Sequence, residues 1–230
     1  GAHACCRDTW NVLQLKYGLD AETTAYIPHG VASRFFISRT YDSKRPLKLL
    51  YAGTWLDQRG IFYLREALPR LISKLPGFTM TFAGCGCPPE QVREFFGPEL
   101  SQAIEIVPVV PSQEMQELFS THDIFLFPSL LEGLPCVLLE AMASGMPVVT
   151  TETCGMPDII EDGFTGLLIP PADAPAIERA VLKLAGSQEL RRNLGGAAQQ
   201  SMKRYTWERS AALLESLFFR VIEKNSQTRT

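Results

Sequence analysis

The chain has 230 residues, of which 46% are hydrophobic and 20% are charged. This length suffices for one large or two small domains, and the composition is that of a globular protein. The net charge of −3 gives no support to non-specific nucleic-acid binding, so no nucleic-acid partner is expected. No apolar run approaches the roughly 18 to 20 residues of a membrane span.

The six cysteines contain one closely spaced set, Cys85-Gly-Cys87, in addition to the adjacent Cys5 and Cys6. A zinc site usually needs four ligands with C-x₂₋₄-C type spacing, so no metal is predicted. Reduced cysteines are typical of cytosolic enzymes, and the opening residues lack the apolar stretch of a secretory signal. We therefore expect a cytoplasmic protein.

Residues 1–46 show little regular pattern. A short helix is predicted at Arg7–Tyr17, a short strand at Thr24–Pro28 and a linker-like turn at Asp42–Pro46. The segment is too small to bury a core alone. We interpret it as the remnant of an N-terminal domain and its junction with the next domain.

Short apolar runs then alternate with amphipathic stretches. The predicted strands are Leu47–Gly53, Phe78–Ala83, Ile104–Val107, Ile124–Pro128, Val148–Thr151 and Gly166–Ile169. The predicted helices are Ile61–Lys74, Pro89–Phe96, Ser112–Ser120, Leu134–Ser144, Ala174–Leu184, Gln188–Arg204 and Trp207–Lys224. This alternation predicts an α/β fold, a Rossmann-like parallel sheet of about six strands with helices on both faces.

We assign residues 47–205 to this domain and residues 206–230 to a C-terminal helix with a frayed tail from Ser226. The last helix is strongly apolar, which leaves open whether it packs on its own domain or self-associates. Ligands of parallel sheets bind beyond the carboxyl ends of the strands. The loops that follow the strands are therefore the candidate sites.

Two glutamates bracket the start of the helix predicted at Leu134–Ser144. Glu132 precedes the helix, and Glu140 lies about 120° from the centre of its apolar stripe, free to face a cleft. Free N–H groups and the dipole make a helix N-terminus favourable for an anion. The pattern suggests a site for a phosphorylated ligand whose hydroxyls are bound by carboxylates. The alternative is an ordinary acidic first turn with a surface glutamate.

Two glycine-containing loops follow the first two predicted strands of the main sheet. In the first, Gly53 ends the strand and Arg59 precedes a helix, a suitable position for binding a phosphate. The alternative is a solvated arginine at a βα turn. In the second, Gly84 and Gly86 permit close approach of a ligand or simply form a tight turn.

Residues 153–170 are predicted to form a turn, one helical turn and a short strand, a structural pattern in which Gly155 is the expected position for a ligand that needs room. Neither a nucleophile elbow nor a P-loop occurs in the sequence. His122 and Asp123 are best interpreted as a helix C-terminal residue and a turn aspartate, rather than as an acid–base pair.

Together these segments resemble the nucleotide-binding C-terminal half of the retaining glycosyltransferases of family four, the glycosyl transferases group 1, which have a GT-B fold. The resemblance covers about residues 24–222. Its strongest part is Pro128-Ser129…Glu132-Gly133…Pro135…Glu140-Ala141…Gly145, the E-x₇-E motif of the family. Two further segments match, Gly155-Met-Pro-Asp158-Ile…Pro170 and Tyr51-Ala-Gly53…Arg59-Gly60.

The resemblance implies transfer of a hexosyl group from a UDP- or GDP-sugar to an acceptor, with retention of configuration and with no cofactor besides this co-substrate. Glu132 and Arg59 would be catalytic: Glu132 would contact the transferred sugar, and Arg59 would replace the usual lysine on the diphosphate. Glu140 would bind the ribose. The further substrate-binding positions implied are Gly133, Leu134 and Pro135 at the helix start, Gly53 and Thr54 after the first strand, and Gly84, Gly86, Val107 and Val109 beside the base.

The sequence departs from the family at three positions and in its extent. Thr54 replaces an arginine that usually contacts the diphosphate, Asp158 replaces a glutamate, and Cys154 replaces a frequent glycine. The acceptor-binding N-terminal domain of a GT-B enzyme is expected to be missing, so this chain alone should transfer little or no sugar. The complete enzyme is expected to act in polysaccharide or glycolipid biosynthesis, and peripheral association with a membrane is compatible with that role.

Two other classes of function compete with this interpretation. A non-catalytic nucleotide-binding or partner-docking module is compatible with the loss of the arginine at Thr54. An NAD-dependent oxidoreductase ranks last, because the sequence lacks a G-x-G-x-x-G fingerprint after a strand. The sugar, the base and the acceptor are not identified by the sequence.

Overall fold

The computed structural model describes residues 1–41 and 45–227. The strands are β1 Ala2–Ala4, β2 Thr24–Tyr26, β3 Lys48–Ala52, β4 Thr79–Ala83, β5 Ile104–Val107, β6 Ile124–Phe127, β7 Val148–Thr151 and β8 Leu167–Ile169. The helices are α1 Arg7–Leu15, α2 Ile61–Lys74, α3 Pro89–Phe96, α4 Met115–Thr121, α5 Cys136–Ala143, α6 Met156–Ile159, α7 Ala174–Ala185, α8 Gln188–Met202 and α9 Trp207–Gln227.

The main sheet has six parallel strands in the order β5-β4-β3-β6-β7-β8. The strands β6 and β7 are buried along their whole length, as expected where helices cover both faces of a sheet. Helix α2 packs against α7, and α5 packs against α8. The predicted α/β fold with about six parallel strands is confirmed.

A second, two-stranded parallel sheet pairs β1 with β2, and α1 connects the two strands. We call residues 1–27 the N-terminal βαβ unit. Strand β1 was not predicted, because three residues of Ala-His-Ala provide no apolar run. Downstream, Phe35 is buried in the core of the main domain, so part of residues 1–46 belongs structurally to that core.

Helix α9 packs against the N-terminal βαβ unit, through β2 and the turn before it, and buries Leu217 there. Its other side leaves Phe218, Phe219 and Ile222 exposed. The helix continues to Gln227, three residues beyond its predicted end at Lys224. Residues 228–230 and residues 42–44 of the predicted linker lie outside the described residues.

Candidate functional site

The chain reverses its winding direction between β3 and β6. Strands β3, β4 and β5 follow one another toward one edge of the sheet, and β6 then lies on the other side of β3. Such a switch point opens a crevice at the carboxyl ends of its two strands, where α/β proteins bind ligands. Arg59 follows β3 and Glu132 follows β6, so both predicted catalytic residues lie at this crevice.

The loops after β3 and β6 are fastened together by the carbonyl of Gln58. This oxygen accepts a hydrogen bond from the N–H of Leu130 at 2.7 Å and one from Oγ of Ser129 at 3.1 Å. Gly60 lies directly against the same loop: a β-carbon at this position would be 2.0 Å from the carbonyl oxygen of Pro128. Its φ of 77° also favours glycine. The short segment that carries Arg59 is therefore held from both sides.

Arg59 and Glu132 form an ion pair across the crevice. The side chains are only 19% and 13% exposed, so the pair is largely shielded from water. The guanidinium carbon of Arg59 lies 5.8 Å from the ring centroid of Phe127, which orients it. The sequence predicted a role for each residue separately, and the fold brings the two into contact.

A cavity of about 460 Å³ adjoins this ion pair. One wall is formed by Glu132, Gly133 and Cys154, and the opposite wall by the N-terminal βαβ unit. The lining residues of that unit are Cys6, Asp8, Thr9 and Val12. Sequence reasoning missed them, because they lie more than a hundred positions from Glu132 and no local pattern marks them.

Helix α5 begins at Cys136, two residues later than predicted. Pro135 is the residue at the N-cap, and the residue before a proline avoids the helical region, which keeps Leu134 outside the helix. The free N–H groups of the first turn consequently belong to Cys136 and Val137, and Pro135 has none. Leu134 is buried, and its carbonyl lies 2.9 Å from Nδ1 of His29.

His29 also contacts the start of α5, which the sequence did not predict. Its ring stacks on Trp207 at 6.1 Å between centroids, and Nδ1 lies 3.4 Å from Sγ of Cys136. The interaction with Cys136 raises the pKa of His29, although burial opposes the shift. The junction of the two units is thereby attached to the start of α5.

Helix α5 is buried on most of its circumference, and its least buried strip consists of Cys136, Val137 and Glu140. Burial raises the pKa of Glu140 to about 7, while the guanidinium of Arg34 acts in the opposite direction. A carboxyl group with this pKa changes its charge near neutral pH. Perturbed groups of this kind concentrate at functional sites.

The remaining predicted positions follow β3, β4 and β5 at the same edge of the sheet. Gly53 donates its N–H to Ala83, and Thr54 is exposed. Gly84 and Gly86 donate to the carbonyls of Val107 and Pro108. Both glycines have φ near +70°, and a β-carbon at either position would meet no atom within 4 Å. Their requirement for glycine therefore comes from the backbone conformation. Val109 is 76% exposed.

Gly155 does not make room for a ligand. A β-carbon there would lie 2.1 Å from the carbonyl oxygen of Gly133 and 2.9 Å from Cβ of Cys6, so protein atoms occupy the space. The N–H of Gly155 donates to that carbonyl at 3.0 Å. The neighbouring Cys154 has a φ of 51°, a conformation that glycine adopts at lower cost.

His122 and Asp123 are structural, as predicted. His122 is the C-cap residue that follows α4, and its Nε2 lies 2.7 Å from Oγ1 of Thr81, while Asp123 pairs with Arg45 at 2.8 Å. Within residues 1–41 and 45–227, no group of three or more His, Cys, Asp or Glu side chains is arranged to hold a metal ion. None of the described helices is both long and apolar enough to cross a membrane.

Comparisons with known proteins agree on one family. A family model described as glycosyl transferases group 1 matches residues 46–187. The amylovoran biosynthesis glycosyltransferase AmsK of Erwinia amylovora is 30% identical over 185 residues, which cover 76% of this chain and 45% of that protein. This chain thus spans less than half the length of that relative.

Two solved structures have the same fold. The sucrose-phosphate synthase from Thermosynechococcus elongatus superposes with a TM-score of 0.81 at 21% identity, over 96% of this chain and 58% of that one. Anabaena HepE in complex with UDP superposes with a TM-score of 0.75 at 16% identity, over 98% of this chain and 63% of that one.

Proposed function

This chain belongs to the glycosyl transferases group 1 family, and we propose that it is the donor-binding, C-terminal part of a retaining glycosyltransferase of family four with a GT-B fold. The complete enzyme transfers a hexosyl group from a UDP- or GDP-sugar to an acceptor. The acceptor is bound by a further domain of the full-length protein. The partial coverage of AmsK and of the two solved structures supports this division.

The observation on which the proposal depends is the Arg59–Glu132 ion pair at the switch point of the sheet. A cation and a carboxylate side by side match the two halves of a nucleotide-sugar, which has a diphosphate next to a ring of hydroxyls. Diphosphate oxygens attract the guanidinium of Arg59. Sugar hydroxyls donate hydrogen bonds to the carboxylate of Glu132.

The chemistry follows from where charge develops during transfer. As the bond from the sugar to the diphosphate breaks, negative charge accumulates on the leaving oxygens. Arg59 and the free N–H groups of Cys136 and Val137 stabilise that charge, because they are oriented before the reaction begins. Glu132 holds the transferred sugar in the neighbouring cavity, and Glu140 binds the ribose hydroxyls.

Binding is tested by thermal unfolding of this chain with UDP, GDP, ADP and NAD, in the parent protein and in Glu140→Ala. A ligand at 100 times its Kd should raise the free energy of unfolding by about 2.7 kcal/mol. Glu94→Ala, at an exposed glutamate of α3, is the matched control and should retain the shift. Stabilisation by UDP or GDP that is lost in Glu140→Ala alone supports the proposal and identifies the base.

Stabilisation by NAD, and not by UDP or GDP, would contradict the proposed donor site. No shift with any nucleotide would favour the competing interpretation, a partner-docking module without catalysis, for which the replacement of an arginine by Thr54 is the specific indication. Retention of configuration is tested on the full-length protein, by determining the anomeric configuration of the product. An inverted product would refute the retaining mechanism.

A further inference from the structure

A second cavity, of about 380 Å³, lies where the N-terminal βαβ unit meets the start of α9. Its charged and phenolic lining consists of Arg7, Arg204, Arg209, Tyr26, Tyr205 and Asp158. None of these residues belongs to the proposed donor site. We call it the arginine cavity.

The three guanidinium groups of this cavity are accompanied by a single carboxylate, and that carboxylate is already engaged. Asp158 accepts a hydrogen bond from the backbone N–H of Arg7 at 2.7 Å, and its other oxygen lies 3.7 Å from Nε of the same residue. Neither Arg204 nor Arg209 forms an ion pair anywhere in the described part of the chain. The guanidinium groups of Arg204 and Arg209 therefore have no carboxylate partner within ion-pair distance, although Arg204 also lines a neighbouring cavity with Glu161.

The arginines are held in place by contacts that leave their charge unneutralised. The guanidinium carbon of Arg7 lies 4.9 Å from the ring centroid of Tyr26, and that of Arg204 lies 5.2 Å from the centroid of Tyr205. Arg209 donates from Nη1 to the carbonyl oxygen of Arg204 at 3.3 Å. Stacking on an aromatic ring limits the motion of a guanidinium and leaves its edge free to donate hydrogen bonds.

The position of these arginines adds to the positive potential. Arg204 precedes α9, and Arg209 lies in its first turn, where the helix dipole disfavours a cation. The acidic residue of that turn, Glu208, lines a different cavity together with Lys203. Burial raises the pKa of Tyr26 above its ordinary value, so its hydroxyl is a neutral hydrogen-bond donor at physiological pH.

We propose that the arginine cavity binds a phosphate monoester or another phosphate-bearing group. A phosphate dianion matches two guanidinium groups that have no carboxylate partner, and its three oxygens can accept hydrogen bonds from separate arginines. The volume leaves room for the moiety that carries the phosphate. The site does not depend on the proposed donor site, which lies across the first turn of α1.

The test measures the affinity of this chain for inorganic phosphate by calorimetry at constant ionic strength. The variant Arg204→Gln/Arg209→Gln removes two exposed charges and should weaken binding by about tenfold or more. Arg93→Gln/Arg192→Gln removes two exposed charges elsewhere and should retain the parent affinity. Equal weakening in both double variants, or binding that does not saturate, would overturn the proposal.

A further variant guards against misfolding. Asp158→Asn removes the competing negative charge and keeps an acceptor for the N–H of Arg7, so phosphate should bind more tightly. A fall in affinity with this substitution would contradict the assignment of phosphate to the arginine cavity.

The source of the phosphate is distinguished by flotation with vesicles of phosphatidylcholine that contain or lack phosphatidic acid, a lipid phosphate monoester. Flotation only when phosphatidic acid is present, lost in Arg204→Gln/Arg209→Gln and inhibited by free phosphate, supports a lipid headgroup. Phosphate binding without flotation supports a soluble phosphorylated ligand. Absence of both would overturn the proposal.

Discussion

The carboxylate of Asp158 in α6 accepts a hydrogen bond from the backbone N–H of Arg7, 151 residues earlier in the chain, and so caps the first turn of α1. Adjacent residues Cys6, Asp8 and Thr9 line the cavity beside Glu132. One carboxylate thereby sets the position of a helix that forms a wall of the candidate donor site.

We expect Asp158→Ala to loosen α1. Removing a capping carboxylate typically costs about 1 kcal/mol, because a helix N–H loses its acceptor. Amide hydrogen exchange in α1 should accelerate while exchange in the main sheet stays unchanged. Asp158→Asn retains an acceptor and should remain close to the parent. Equal acceleration in both variants would show that the charge, and not the hydrogen bond, holds the helix.

Arg59→Gln should destabilise the fold by about 3 kcal/mol, because it leaves the largely buried carboxylate of Glu132 without its partner. The double variant Arg59→Gln/Glu132→Gln should recover most of this loss, since neither charge is then isolated. Urea unfolding of the parent, Arg59→Gln, Glu132→Gln and the double variant measures the coupling energy in a double-mutant cycle. A coupling energy near zero would mean that the ion pair is not maintained in solution.

Gly60→Ala should be far more destabilising than Gly163→Ala. Both glycines have φ near +75°, so each substitution incurs the left-handed penalty of about 1 to 2 kcal/mol. A β-carbon at Gly60 would in addition collide with the carbonyl of Pro128, whereas none of the surrounding atoms comes within 4 Å at Gly163. Thermal unfolding measures the steric contribution as the difference in Tm between Gly60→Ala and Gly163→Ala. Similar Tm values for the two variants would contradict the tight contact between the loops.

Glu140→Gln should stabilise the protein above neutral pH and have little effect at pH 4. The folded pKa of about 7 lies above the ordinary value of 4.5, so ionisation opposes folding. This cost is absent at pH values below the ordinary pKa of 4.5 and grows as the pH rises to the folded pKa of about 7. It amounts to roughly 1.4 kcal/mol for each unit of pKa difference. Denaturant unfolding of the parent and of Glu140→Gln from pH 4 to 8 tests this prediction. A difference in the free energy of unfolding that does not change with pH would refute it.

Thr54→Arg should strengthen the binding of a nucleoside diphosphate, because it adds the cation that the family resemblance implies beside the diphosphate. The side chain of Thr54 is exposed, so the substitution creates no buried charge. A charged hydrogen bond contributes about 1.5 to 3 kcal/mol, which corresponds to an affinity gain of about tenfold or more. Calorimetry measures this affinity in the parent and in Thr54→Arg, with the nucleotide that thermal unfolding has identified as the ligand. An unchanged Kd would mean that position 54 does not contact the diphosphate.

The pattern of the sequence was sufficient for the strands of the main domain, whereas the helix predicted at Ser112–Ser120 begins three residues later, at Met115. Each of the six strands of the main sheet is found within one residue of its predicted ends, because strands buried on both faces need continuous apolar runs. The helix at Cys136–Ala143 was misplaced at its start, because the apolar stripe continues through Leu134 and Pro135 although the backbone there is not helical. The two residues nominated as catalytic, Arg59 and Glu132, were each recognisable from a motif.

What joins these residues was decided by the tertiary structure alone. The order of the strands places the loops after β3 and β6 side by side, and Gln58 fastens them through its backbone carbonyl, a group that every residue type has. The wall at Cys6–Thr9 and the cap of Arg7 by Asp158 likewise depend on a helix packed across a domain junction. Sequence periodicity records which residues are buried locally; the pairing of distant loops is set by sheet order and backbone contacts, which leave no periodic signal.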